Sequence, residues 1–255
     1  MPKIKYSDEQ RQQLIDGIFN RVINAHNLPK GLYKATADVL LDGVNEGFYD
    51  SPDNMLLGEL RDNIYMFSGA KTFQQVQHIS SLLYTSNLDY KVFKEGALQI
   101  YKNYNENYLE SEYVTALTSG VNAKSYNEAV NSDGLFTRLK YTAVMDQHTS
   151  EICKRLNGII LPVKDSFWRT NTPPNHFNCR CFVEKIDAYD TEPSTHGNKA
   201  RSANLYAEHH RQPQFNMNPA TDKVVFKKNH PYFTVPKQYK ELAKKNFNLP
   251  IPNKD

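Results

Sequence analysis

Cys153, Cys179 and Cys181 are the only cysteines of the chain, and all three fall inside one 29-residue stretch. His176 stands three residues before Cys179. Zinc takes four Cys or His ligands in tetrahedral structural sites, and thiolates are its preferred partners. Cys179 and Cys181 are two apart, so on a strand their side chains share one face while Arg180 points to the other. Pro173 and Pro174 stiffen the approach to a turn that carries His176 toward the same ion. Cys153 completes a Cys3His set of Cys153, His176, Cys179 and Cys181, with structural zinc as the expected cofactor. A reduced, metal-free cysteine cluster is the alternative. A disulfide is disfavoured, because a Cys-x-Cys bridge is cramped and a cytosolic setting is reducing. His148 could replace His176 as fourth ligand or act behind the ligands.

Catalysis asks for a different arrangement. Asp146, His148 and His176 beside a metal could activate a water, as in a hydrolytic or nuclease centre. A catalytic zinc keeps one position open, whereas Cys3His fills it. No Gly-rich phosphate loop, Ser/His/Asp order or HExxH is present. An enzyme is therefore not expected, and a metal-dependent nuclease or toxin-like domain stands as the alternative, beside a zinc-stabilised nucleic-acid-binding module.

The elements that position these residues follow from hydrophobic spacing. Residues 1–130 read as helical. Ser7-Asp8 is an N-cap before Leu14, Ile15, Ile18, Phe19, Val22 and Ile23 at helical intervals, and Asn27-Leu28-Pro29 breaks the pattern. A second helix runs from about 29 to 46. Ser51-Pro52-Asp53 marks a turn and helix start, and Ser68-Gly69 interrupts the helix that follows. Phe73, Val76, Ile79 and Leu83 form another short helix, and 90–119 is the longest helical stretch. The pattern changes at Asn131-Ser132-Asp133-Gly134. Residues 135–145 favour a strand, 151–156 a short helix capped near Thr149-Ser150, and 159–161 a strand after an Asn157-Gly158 turn. Residues 179–186 are a further strand candidate. Residues 191–198 read as a linker, 200–211 as a short helix and 237–247 as a terminal helix with Tyr239, Leu242 and Phe247 on one side. The expected fold class is α+β. A mainly helical region (1–130) precedes a small α+β unit stapled by zinc (131–190), and a basic, partly extended C-terminal tail follows (191–255).

Composition narrows the function classes. Hydrophobic residues make up 39% of the 255 positions and mean hydropathy is −0.67, so part of the chain is not expected to be core. No run approaches the ~18–20 apolar residues of a membrane span, and the N-terminus lacks a hydrophobic signal segment. Neither an integral membrane protein nor a conventionally secreted one is expected. The net charge of +3 is uneven: residues 196–255 carry 11 Lys and Arg against 4 Asp and Glu, the rest 20 against 24. Such a basic segment can meet DNA or an acidic protein surface, or simply be solvated.

The stretch DQHTSEICKRLNGIILPVKDSFWRTNTPPNHFNCRC resembles the signature of the phage head-morphogenesis family, the phage Mu F-like and SPP1 gp7-like minor capsid proteins. Asp146, Thr149, Cys153, Gly158, Phe167, Trp168, Pro173, Pro174, Cys179, Arg180 and Cys181 match the pattern in order. His148 departs from it, standing where family members usually carry Arg, and position 176 varies among them. The resemblance implies a structural protein of a tailed phage or prophage, located in the virion at the capsid interior or portal vertex and in the host cytoplasm during assembly. Its implied partners are the portal protein and capsid components, and its implied task is head assembly or DNA delivery. The basic C-terminal segment suits contact with packaged DNA or an acidic portal surface.

Overall fold

A computed structural model describes residues 2–49 and 55–252. The expected turn at Ser51-Pro52-Asp53 lies outside the described residues. Helix α1 (Asp8–Phe19) begins in a capping box. Ser7 Oγ accepts from the Gln10 amide at 3.1 Å, and Gln10 Oε1 accepts from the Ser7 amide at 2.8 Å. α2 spans Lys30–Phe48, α3 Met55–Thr85 and α4 Tyr90–Lys102, the last capped by Asp89. A π-helical turn (Asn103–Asn107) joins α4 to α5 (Tyr108–Val130). The helical stretch expected at 90–119 is thus longer and is widened at its middle.

Ser68-Gly69 does not interrupt α3, which is one continuous helix. The glycine serves a close approach instead. A Cβ at Gly69 would stand 2.3 Å from Asn246 Oδ1, so only hydrogen fits there.

The chain forms two compact units, each assembled from separated segments. The first comprises Met1–Leu41, Asp62–Tyr113 and Lys228–Asp255. Its core holds Leu14, Ile15 and Ile18 from α1, Phe73, Val76 and Ile79 from α3, Phe93 and Ala97 from α4, and Phe247 and Leu249. Phe73 stacks on Phe247 with ring centroids 4.6 Å apart. The expected terminal helix shortens to a 3-10 turn and one brief helix, Lys240–Lys244. Tyr239, Leu242 and Phe247 still face the core. Gln74 Nε2 donates to the carbonyls of Tyr232 (3.1 Å) and Thr234 (2.7 Å), tying this segment to α3. Aromatic residues scattered among prolines therefore pack inward rather than trail as an extended tail.

His230 lies in the same unit, edge-on to Phe67 at 5.0 Å between ring centroids and only 5% exposed. Burial, with the nearby Lys71 ammonium, lowers its pKa to about 4. The unfolded chain takes up this proton near pH 6.5, so between about pH 6.5 and 4 it binds more protons than the folded one. Stability should fall on acidification through that window, by about 3 kcal/mol in all. Urea titrations from pH 7 to 4 check this, and His230→Phe should flatten the slope.

The second unit comprises Asp42–Arg61 and Val114–Lys227. Its antiparallel sheet has the order β2-β1-β3, with β1 at Phe136–Thr142, β2 at Ile160–Pro162 and β3 at Phe182–Asp187. Leu139 pairs with Leu161 on one side and Tyr141 with Val183 on the other. The Asn157-Gly158 turn leads into β2, with Gly158 at φ +73°. α6 (Glu151–Leu156) and α7 (Trp168–Asn171) lie between strands in sequence, and α8 spans Gly197–His210. Leu139, Tyr141, Cys153, Leu156, Trp168, Cys179, Val183 and Ala207 share the core. The expected linker 191–198 is anchored to β2: the Thr195 amide donates to the Ile160 carbonyl and Thr195 Oγ1 accepts from the Ile160 amide, both at 2.8 Å. Lys140 on β1 also pairs with Glu192 at 3.1 Å. The architecture is α+β, with helices predominating and one small sheet.

Candidate metal centre

The site is built from two turns and a short helix. After β1, Asp146 Oδ1 accepts from the His148 amide at 2.9 Å, and Thr149 Oγ1 accepts from the Asp146 amide at 2.8 Å. Ser150 then caps α6 by accepting from the Cys153 amide at 3.3 Å, so that Cys153, three residues into the chain's new direction, is aimed at the core. Across the site, Arg180 places its guanidinium 2.8 Å from both Asp146 carboxylate oxygens. This pair ties the Asp146–Thr149 turn to the Cys-Arg-Cys segment. It also holds the Asp146 carboxyl below the usual carboxylate range.

Cys179 and Cys181 precede β3 rather than lying on it, because the strand starts at Phe182. Their alternation survives: both thiols are buried and Arg180 is exposed. The backbone there is held by α5 instead of a strand. Thr118 Oγ1 donates to the Cys179 carbonyl (2.6 Å), and Asn122 Nδ2 donates to the Cys181 carbonyl (3.1 Å). Asn122 Oδ1 accepts from the Val183 amide at 2.9 Å. Two residues one helical turn apart thus satisfy backbone groups that would otherwise be buried without partners.

The three thiol sulfurs lie within 4.8 Å of one another, the only such group of three potential ligands among the described residues. Cys153 Sγ stands 3.9 Å from Cys179 Sγ and 3.2 Å from His176 Nε2. A tetrahedral zinc with bonds of about 2.3 Å to sulfur and about 2.0 Å to nitrogen would set these separations near ~3.8 and ~3.5 Å. The three sulfurs therefore suit such an ion, whereas His176 lies close to Cys153 and outside the mutually close group. His176 joins the cluster through Cys153, and a turn closes it onto Cys179, whose amide donates to the His176 carbonyl at 3.3 Å. Its Nδ1 lies 2.7 Å from the Phe177 carbonyl, to which it donates, and its Nε2 faces Cys153 Sγ. His148 is exposed, and its amide serves the Asp146 turn.

Electrostatics concentrate negative charge on one sulfur. Hydrogen bonds from Cys179 and Cys181, with His176 beyond them, hold the Cys153 thiol far below its ordinary pKa. Burial pushes Cys179 up to about 12, and hydrogen bonds to Cys153 and Cys179, with burial, push Cys181 up as well. Burial opposes protonation of His176, but its bond to Cys153 outweighs that and raises its pKa. Three thiols sharing one charge is what a cation would relieve.

Sequence reasoning missed a supporting network. The Tyr141 hydroxyl donates to Cys153 Sγ at 3.2 Å and accepts from Asn175 Nδ2 at 3.0 Å. Tyr141 alternates with Leu139 on β1, which was a readable signal. Thr118 and Asn122 stood out only as polar residues four apart in a helix. The Asp146–Arg180 pair joins two motif positions whose mutual contact has no sequence signal.

Residues 91–184 match the family model described as phage Mu protein F like protein. That range contains Cys153, His176, Cys179, Cys181 and every anchor just described. This segment of the chain is similar to the phage Mu F-like family. The putative capsid assembly protein F of Escherichia phage Mu is 38% identical over 66 residues, covering 26% of this chain and 15% of that protein. The Mu-like prophage FluMu F protein of Haemophilus influenzae is 40% identical over 50 residues, covering 20% of this chain and 12% of that protein. The similarity thus spans less than a sixth of the length of either relative. No solved structure matches the chain. The Mu F-like segment runs from α4 into β3, and the Asp146 turn, α6 and the Cys-Arg-Cys segment are its closing part.

Proposed function

We propose that the chain is a head-assembly protein of a tailed phage or prophage, a minor capsid component that binds the portal and assists head assembly or DNA delivery. The observation that carries this reading is the Mu F-like match across residues 91–184, together with one relative named as a putative capsid assembly protein. The role is structural rather than enzymatic: Asp146, a candidate for catalysis, is engaged by Arg180, and His148 faces solvent.

In this reading Cys153, His176, Cys179 and Cys181 hold one zinc ion. The ion supplies cross-linking, joining α6 to the segment before β3 across the intervening loop. Tyr141 positions the Cys153 sulfur, and Thr118 with Asn122 sets the backbone of the Cys-Arg-Cys segment. Contact with DNA or an acidic portal surface is assigned to the basic C-terminal region. There Lys237, Lys240, Lys244 and Lys245 are exposed while Tyr239 and Leu242 pack inward. No helix among the described residues is long and apolar enough to cross a membrane.

The test is affinity purification of the tagged chain from cells assembling the phage. Portal and major capsid proteins are expected in the eluate. Absence of both proteins from the eluate, together with absence of the chain from purified virions, would remove the reading.

A further inference from the structure

Away from the thiol cluster, the second unit carries a cavity of about 370 Å³ between the segment 165–170 and α8. Leu161, Phe167 and Ala200 are among its apolar lining, and Arg169, Arg201, Asp165 and Glu208 line it as well. The arginines are distinctive. Every other arginine of this unit is used internally: Arg61 on Asn45, Arg138 on the 190–192 backbone, Arg155 over the Tyr206 ring, Arg180 on Asp146 and Arg211 on Thr170 and Asn171. Among the described residues, Arg169 and Arg201 alone in this unit carry guanidinium groups without a hydrogen bond, ion pair or ring contact, and both face one cavity.

The acidic residues beside them are already engaged. Asp165 Oδ1 accepts from the Phe167 amide at 2.8 Å, and Glu208 Oε1 accepts from Asn204 Nδ2 at 2.9 Å. The cavity therefore offers two forked guanidinium groups, the geometry that receives an oxyanion through two parallel bonds, beside the second oxygen of each acid. A DNA backbone offers such groups, but it is anionic along its whole length and would bring further phosphates against Asp165 and Glu208. A peptide can set one carboxylate on the arginines and neutral or basic groups against the two acids. It can also fill the apolar wall with a side chain, within the size range of ordinary ligand pockets.

We propose that this cavity binds a peptide segment of mixed character, seating a Glu or Asp carboxylate between Arg169 and Arg201 and an apolar neighbour against Leu161 and Phe167. The site is independent of the head-assembly reading, and either can fail without the other.

The experiment uses the full chain labelled for NMR and three probes: acetyl-Leu-Glu-Leu-amide, its Gln counterpart, and a short DNA duplex. The Glu peptide is expected to shift the backbone amide signals of segment 165–170 and of α8 saturably, and the Gln peptide to bind at least about tenfold more weakly. The R169A/R201A variant should lose the response while melting at the parent temperature, since both residues are exposed; R201A alone gives the same readout with one change fewer. Equal binding of the Gln peptide, an unchanged response in the variants, or no shift at all would overturn the proposal. Shifts of these signals by DNA and not by the Glu peptide would overturn it in favour of a nucleic-acid site.

Discussion

Replacing Cys179 with serine, or stripping metal with a strong chelator, is expected to unfold the thiol-centred unit and shift the emission of Trp168 to the red. Trp168 is the sole tryptophan and is fully buried in the same core as the three thiols. Its indole Nε1 donates to the Pro162 carbonyl at 3.0 Å, so it reports the packing of this unit directly. The size of the effect follows from what a metal would replace. Small zinc domains draw about 10–16 kcal/mol of apparent binding energy from the ion, which is their folding energy. Even one third of that would lower the melting temperature by roughly 10 °C or more for a protein of this size. Serine at position 179 removes a ligand and leaves a hydroxyl among buried thiols, so added zinc should not restore the parent emission. Unchanged Trp168 fluorescence in chelator would mean that the cluster is ordinary reduced packing.

The second large effect is expected in the other unit. Lys71 on α3 and Glu112 on α5 form an ion pair at 1% and 3% exposure, and the Tyr232 hydroxyl also bonds Glu112. Burial pushes the Lys71 ammonium below its usual pKa and the Glu112 carboxyl above its own, while each partner works against the other's shift. Such a pair adds little net stability over apolar packing, yet losing one member strands a charge. Lys71→Met should therefore cost about 3–5 kcal/mol. The double variant Lys71→Met with Glu112→Leu should recover most of that loss, because nothing charged remains buried. Thermal melts of the two variants decide the point: equal destabilisation by the single and double changes would contradict it.

The legible parts of the chain were those where local chemistry and tertiary packing agree. Ser7 caps α1 because its hydroxyl needs only the next turn of the same helix. Cys153, Cys179 and Cys181 converge because three soft, buried side chains within a short stretch have few other arrangements. The failures have a common cause: a residue answered to a partner distant in sequence. Gly69 reads as a breaker, but Asn246 needs the space above it. Much of the 191–255 tail reads as extended because its prolines and short apolar runs suppress long elements. Its aromatic side chains nevertheless fill cores, as Phe247 does on Phe73. The bonds of Thr118 and Asn122 to the Cys179 and Cys181 carbonyls emerge only once α5 is placed beside that segment. Asp146 attracted a catalytic role on residue type, whereas its bond to Arg180 makes it an anchor.

The central claim is that the closing motif of the Mu F-like segment is a metal clamp. Elemental analysis of the full chain, purified under reducing conditions without chelator or metal-affinity resin, tests it most directly. One zinc ion per chain is expected, lost in the Cys153→Ala and Cys179→Ala variants and diminished in His176→Ala. A chain that is folded by Trp168 emission and carries no metal, even after incubation with zinc, would contradict the account.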